Sequence, residues 1–272
     1  MDKTSTEMKQ RWVSVAILCF INLINYMDRY TVSGKTFKIG RKVGTLKALV
    51  TCNLIPEGVL TDIGDHWDLT DSKKGLIQTA FVICYFASAP AFGFLGDRYS
   101  RKWLMAVGIL AWGSCTLVSS FMQEFNAFLL LRSAIGFGEA GFTSIAPTVL
   151  GDLFKDSGRS IVLALFYFAI PVGSGLGYMV GSQVSALAGD WRWGLRVTPI
   201  LNLLAVVLLF LFLLDPPRGE EHQKPKNDSK KSIGQEIKMW GEDLLYLITN
   251  KSYILSTLAF TCLTFCTGAL SW

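Results

Sequence analysis

The chain has 272 residues, 51% of them apolar and only 17% charged, with a mean hydropathy of +0.38 and a formal net charge of +5. A soluble domain carries about 25% charged residues to cover its surface, so a water-soluble globule is excluded and the long apolar blocks call for lipid as solvent. Five of the six cysteines (Cys19, Cys84, Cys115, Cys262, Cys266) fall in apolar blocks at spacings that match no metal motif, and His66 and His222 are the only histidines, which argues against a disulfide framework, a metal site or a histidine proton wire.

The polar start, MDKTSTEMKQR, precedes an apolar span without a small-residue cleavage site, so that span is read as a retained helix rather than a signal peptide. It starts at Trp12 and runs past Met27. Further spans are predicted over Gly75–Leu95, Leu104–Phe121, Asn126–Leu153, Ile161–Leu187 and Gly194–Leu214. A polar linker follows to about Asn250, and a seventh span begins near Tyr253. The sixth span is nearly pure Leu, Val and Phe and reads as lipid-facing.

Basic residues orient the spans. The N-terminal side holds Lys3, Lys9 and Arg11, then Arg98, Arg101 and Lys102, then Lys155 and Arg159, and finally the linker's Arg218, Lys224, Lys226, Lys230, Lys231 and Lys238. The opposite side carries mostly acids, Asp62, Asp65, Asp68 and Asp71, with Lys73, Lys74, Arg192 and Arg196. The N-terminus and linker are therefore expected in the cytosol.

One segment breaks this rule. Residues 35–57 carry Lys35, Lys38, Arg41, Lys42 and Lys47 against Glu57, which is +4 of the net +5, on the side where positives are disfavoured. Without them the chain would run smoothly from Gly34 to Gly58. A loop insertion explains this; a retained intron, since Gly34-Lys35 can be encoded by the splice donor GGTAAG, is the preferred reading.

Two spans carry charge where none should be. In the first, Asn22, Asn25 and Asp28 or Arg29 recur every three to four residues and form a polar stripe. In the fourth, Arg132 and Glu139 stand two turns apart on one face. A charge at mid-bilayer costs at least about 2.5–3.5 kcal/mol, so such groups face water or a partner. Either they form an internal salt-bridge web that clips helices together, or they line a central cavity where an acid carries a proton and an arginine holds an anionic substrate. These spans open two successive three-helix sets, an arrangement suited to inverted repeats around a site. Gly136, Gly138 and Gly141 match GxGxxG, but no strand precedes them and a dinucleotide site is not expected. Gly173, Gly177 and Gly181, spaced by four, read as a helix-packing stripe, with Pro171 ahead of them expected to bend the helix. Phe166, Tyr167 and Phe168 line either an amphiphile cavity or the lipid.

The loop Gly93-Phe94-Leu95-Gly96-Asp97-Arg98-Tyr99-Ser100-Arg101-Lys102 resembles the signature loop of the major facilitator superfamily, between the second and third spans as that family requires, with Ser100 in place of the usual glycine. Arg132 and the glycines after it resemble that superfamily's fourth-helix motif. NYMDRYTVSG (Asn25–Gly34), RSAIGFGEAGFTSIAPTVLGDLF (Arg132–Phe154) and FYFAIPVGSGLGYMVG (Phe166–Gly181) resemble the spinster family.

The resemblance implies an all-α membrane protein. Residues 1–214 would be the N-terminal six-helix bundle, with 35–57 as an aberrant insertion, 215–251 as a cytosolic linker and 252–272 as a seventh span that starts a missing second bundle. It also implies alternating-access transport of lysophospholipids or sphingolipids such as sphingosine-1-phosphate, coupled to protons, in late endosome, lysosome or plasma membrane. Asp28 and Glu139 would be the protonation candidates, with Asn25 beside them in the cavity. Arg29 and Arg132 would bind the head group or pair with those acids. Gly93, Asp97, Arg98, Arg101 and Lys102 would form a cytosolic latch, with Asp152 and Arg159 as partners. The alternatives are transport of another organic anion, or a truncated isoform that transports nothing and binds a full-length partner. No nucleophile, base and metal constellation suggests an enzyme, and no cofactor, metal or nucleic-acid partner is expected.

Asn227-Asp228-Ser229 and Asn250-Lys251-Ser252 match the glycosylation triplet, yet both lie on the side expected in the cytosol. Both should remain unmodified, and a glycosidase-sensitive mass shift in the expressed protein would overturn the topology.

Overall fold

The computed structural model describes residues 3–32, 59–154, 157–213, 241 and 245–271. The basic segment 35–57, His222, Asn227 and most of the linker lie outside the described residues. Among those described, every long element is an α-helix: α1 (Lys3–Thr31), α2 (Leu60–His66), α3 (Asp71–Arg98), α4 (Arg101–Ser119), α5 (Phe125–Leu153), α6 (Ser157–Ala188), α7 (Arg192–Phe212) and α8 (Lys251–Ser271). They divide between two compact units, Met1–Pro217 and Arg218–Trp272. The first holds α1 to α7; the second holds α8, whose apolar stretch runs from Lys251 to Cys266.

Among the described residues, four helices are both long and apolar enough to cross a bilayer: α3, α4, α6 and α7. Helices α1 and α5 are 29 residues each, but they carry the buried ionisable groups described below. The apolar core runs through Leu18, Ile21 and Ile24 of α1, Ile109 and Trp112 of α4, Ile135 and Phe142 of α5, Phe166 of α6 and Leu209 of α7. A second cluster closes the end of the bundle opposite the N-terminus, where Val32, Val59, Leu60, Ile63, Phe128, Trp191 and Leu195 pack together with Trp67 against them. The indole N–H of Trp67 donates to Gln123 O at 2.7 Å, joining the turn after α2 to the α4–α5 connection.

Glycine sets the helix spacing. A methyl carbon added at Gly173 would stand 2.7 Å from Leu23 O, one at Gly177 2.5 Å from Met27 O, and one at Gly181 3.1 Å from Thr31 Cγ2. The stripe read from the sequence is therefore the seam between α6 and α1, and the two helices run parallel. The GxGxxG stretch has the same use, since Gly136 abuts Phe81 O of α3 and Gly138 abuts the Trp112 backbone of α4. These are the close backbone approaches that small residues allow in lipid.

Helix α7 departs from the sequence reading. Its outer face is apolar and exposed at Leu203, Val207 and Leu211, as a lipid-facing helix requires, but its inner face buries Thr198 and Asn202 among the other helices. Two polar residues among many leucines are invisible to a hydropathy average, although they lie on one face.

The chain leaves α1 and returns at a single point. Val59 N–H donates to Thr31 O at 3.0 Å, and Val32 and Val59 are buried in the same cluster. Deleting residues 35–57 should therefore leave the bundle intact, because closure entropy grows only as about (3/2)RT ln n and a shorter connection keeps or slightly raises stability. Thermal melting of the detergent-solubilised protein checks this, and a midpoint lowered by several degrees would refute it. In the same assay Gly177→Val should cost about 1–3 kcal/mol by overpacking the α1–α6 seam. Gly175→Ala should be silent, since nothing lies within 4 Å of a methyl added there.

Candidate functional site

The polar stripe of α1 fans out to four neighbouring helices. Asn22 Nδ2 donates to Phe166 O of α6 at 2.9 Å. Asp28 is fully buried and faces α4 and α7, where Thr116 Oγ1 donates to its Oδ2 at 3.1 Å and Thr198 Oγ1 to its Oδ1 at 2.5 Å. Arg29 points to the other side, and its Nη2 donates to Glu139 Oε2 of α5 at 2.6 Å. Its guanidinium also lies 5.0–5.1 Å from the ring centres of Tyr26, Phe81 and Tyr85, within cation–π range. Tyr85 in turn shares a 2.9 Å hydrogen bond with Thr143, one helical turn beyond Glu139.

Arg132 is buried on α5, within electrostatic reach of Asp28, Glu139 and Arg29. The structure thus gathers Asp28, Arg29, Arg132 and Glu139 into one cluster of two carboxylates and two guanidiniums. Its formal charge sums to zero, the condition under which such groups are tolerated away from water. Satisfaction is incomplete: Arg29 Nε, Arg132 Nε, Glu139 Oε1 and both polar atoms of the buried Asn25 have no protein partner. Each such atom costs about 1–3 kcal/mol when buried unpaired. The interior therefore holds polar atoms whose hydrogen-bonding capacity the protein leaves unfilled.

Thr116, Thr198, Trp112 and Asn202 belong to this interior and were not singled out from the sequence. Threonine in an apolar helix ordinarily satisfies itself on its own backbone, so only the tertiary contact marks it.

The signature loop lies at the end of the bundle where α1 begins. Asp97 is exposed, and the Arg98 guanidinium stacks on Phe94 at 4.4 Å. Arg101 Nη1 pairs with Asp152 Oδ2 of α5 at 2.5 Å. Lys102 Nζ donates to Phe210 O at 3.0 Å and Leu213 O at 3.1 Å, carbonyls at the end of α7 that lack an intrahelical partner. Arg159 is exposed and lies against Gly151, where a methyl carbon would stand 3.1 Å from its Nε. Gly93 faces open space. Ser100 has φ −59°, so the turn does not need the glycine usual at that place.

A separate polar cavity of about 630 Å³ opens at the far end, lined by Asp62, His66, Ser182, Asp190 and Arg192 among others. Arg192 Nη2 and His66 Nε2 stand 3.1 Å apart there. Burial, reinforced by Asp65, pushes the Asp62 carboxyl above its usual range. The charged cluster does not line the cavity, and neither does any other candidate site residue read from the sequence.

Comparison with known proteins gives the family and the fold. The family model of the Major Facilitator Superfamily matches residues 18–272. Protein spinster of Drosophila melanogaster is 46% identical over 270 residues, covering 99% of this chain and 39% of that protein. Protein spinster homolog 1 of Homo sapiens is 47% identical, covering 94% of this chain and 44% of its own length. Protein spinster homolog 3 of Danio rerio is 40% identical, covering 99% and 48%. The chain thus spans less than half the length of each of these relatives.

Among solved structures, a bacterial homologue of the human lysosomal transporter spinster, inward-facing and unoccupied, superposes with a TM-score of 0.63 at 19% identity. It covers 84% of this chain and 47% of that one. A D-xylose–proton symporter superposes at 0.52 with 17% identity, covering 86% and 53%. At these identities the two structures speak to fold alone, and the fold is the N-terminal six-helix bundle of a major facilitator followed by a seventh helix. The chain belongs to the major facilitator superfamily, within its spinster family.

Proposed function

We propose that this bundle is the front half of a lipid carrier that works by alternating access, coupled to protons in the full-length form. Its substrates would be lysophospholipids or sphingolipids such as sphingosine-1-phosphate. The observation that supports this reading most is the half-buried Arg29 paired with the fully buried Glu139, beside Arg132 and Asp28, two cations and two acids in one interior. Protonating Glu139 removes its attraction for Arg29, which frees a guanidinium to take an anionic head group. Binding that head group and releasing the proton then favour different conformations of one equilibrium. The aromatic rings around Arg29 keep it solvated while it lacks its acid.

Arg101–Asp152 and the Lys102 contacts would hold the signature-loop end of the bundle together as the latch, with Asp97 and Arg159 exposed and Arg98 half-buried beside them. Cytosolic placement of that end follows from the basic loops. The acidic-compartment or plasma membrane is the setting such coupling would need. Transport of a smaller organic anion is the competing reading, and a partner-binding role is the alternative that the same experiment tests.

The test is a fusion of residues 1–214 to the remaining part of Drosophila melanogaster spinster, reconstituted in vesicles with a pH gradient and fluorescent lysolipid or sphingosine-1-phosphate. Glu139→Gln should lower gradient-driven uptake about 5–150-fold, the range of a typical coupling energy. Undiminished gradient stimulation in that variant would remove Glu139 from the mechanism. Uptake of small anions without lipid would favour the competing substrate class. A fusion that moves nothing, together with co-purification of the chain with full-length spinster, would favour the partner-binding role.

A further inference from the structure

The Asp28 carboxylate is held by Thr116 of α4 and Thr198 of α7. One helical turn away lies a second polar layer that none of these bonds reaches. Asn25 precedes Asp28 by three residues, Trp112 precedes Thr116 by four, and Asn202 follows Thr198 by four. The three displacements point the same way. Helix α1 is antiparallel to α7 because it runs parallel to α6, which turns back into α7. Helix α4 is antiparallel to α7 too, since Lys102 meets Phe210 and Leu213 while Gly113 meets Asn202.

All three side chains are buried, Asn25 and Trp112 completely and Asn202 to within 2%. Five of their polar atoms have no protein partner: Asn25 Nδ2 and Oδ1, Trp112 Nε1, and Asn202 Nδ2 and Oδ1. Three are donors and two are acceptors. An anion would leave the two carbonyl oxygens facing it, and a cation would meet three N–H groups. Water donates and accepts, and a buried water makes about two to four hydrogen bonds, so about two or three molecules serve five atoms. Gly113 gives the Asn202 amide its place, as a methyl carbon there would come within 3.1 Å of Nδ2.

We propose that Asn25, Trp112 and Asn202 hold a small cluster of structural water against the Asp28 side of the bundle interior. The cluster is the route by which that carboxyl exchanges its proton. The proton leaves a carboxyl oxygen for the nearest water, which passes one of its own to the next, so no group is consumed. The proton-exchange role rests on the proton-coupled reading above; the water site does not.

X-ray radiolysis of the full chain in nanodiscs, in 18O-labelled water, generates hydroxyl radicals from bound water where it sits. Trp112 should acquire 18O although it is fully buried. Met105, equally buried two turns away on the same helix and surrounded by the apolar core, should stay unlabelled. Combining Asn25→Leu with Asn202→Leu should reduce Trp112 labelling several-fold. A Trp112 as unlabelled as Met105 overturns the site, and so does labelling unchanged in a folded double variant. If the double variant fails to fold, the wild-type contrast between Trp112 and Met105 decides alone. A hydrated layer in a carrier whose uptake ignores pH would refute the proton role and leave the water site standing; a dry layer with pH-driven uptake would refute the site and its proton role and leave the proton-coupled reading standing.

Discussion

Everything in the bundle answers to one electrostatic constraint: charges placed where lipid excludes water must cancel and must be touched. Asp28 and Arg29 are adjacent in sequence but point to opposite sides of α1, one into hydroxyls from α4 and α7, the other onto Glu139 of α5. That single divergence obliges α1 to sit among all of its neighbours at once. A partner removed from such a site leaves an uncompensated charge, at a cost of about 3–5 kcal/mol. The helices are therefore held in register by their polar residues as much as by their apolar ones.

Close approach is the second requirement, because side chains as short as Asp and Thr must meet across helices. Glycine provides it along the α1–α6 seam and between α5 and both α3 and α4. In lipid no hydrophobic force pulls helices together, and such seams hold by van der Waals contact and hydrogen bonding. The same glycines that look like a nucleotide fingerprint are thus structural, and their backbone neighbours explain each position.

The sequence carried some of this and hid the rest, for physical reasons. Ionisable residues in apolar runs are conspicuous because they are costly, so Asp28, Arg29, Arg132 and Glu139 were legible, as were the glycine stripe and the signature loop. A stripe recurring every three to four residues cannot say which neighbour each side chain meets. The opposite directions of Asp28 and Arg29, and the pairing of Arg29 with Glu139, thus appeared only in three dimensions. Thr198 and Asn202 were lost because α7 averages to one of the most apolar segments, and it was read as wholly lipid-facing. The short helix α2 gave no periodic signal in seven residues. It owes its place to Ile63 and Leu60 packing under Trp191 and Leu195.

The bond from Val59 to Thr31 has an evolutionary consequence. A connection whose flanking residues, Thr31 and Val59, bond directly to one another does not set the register of the helices on either side. Its length and content can drift while the rest of the lineage's architecture stays under selection. Such a junction is a natural port for novelty, where a new exon, an epitope or a reporter domain can be grafted without renegotiating the fold.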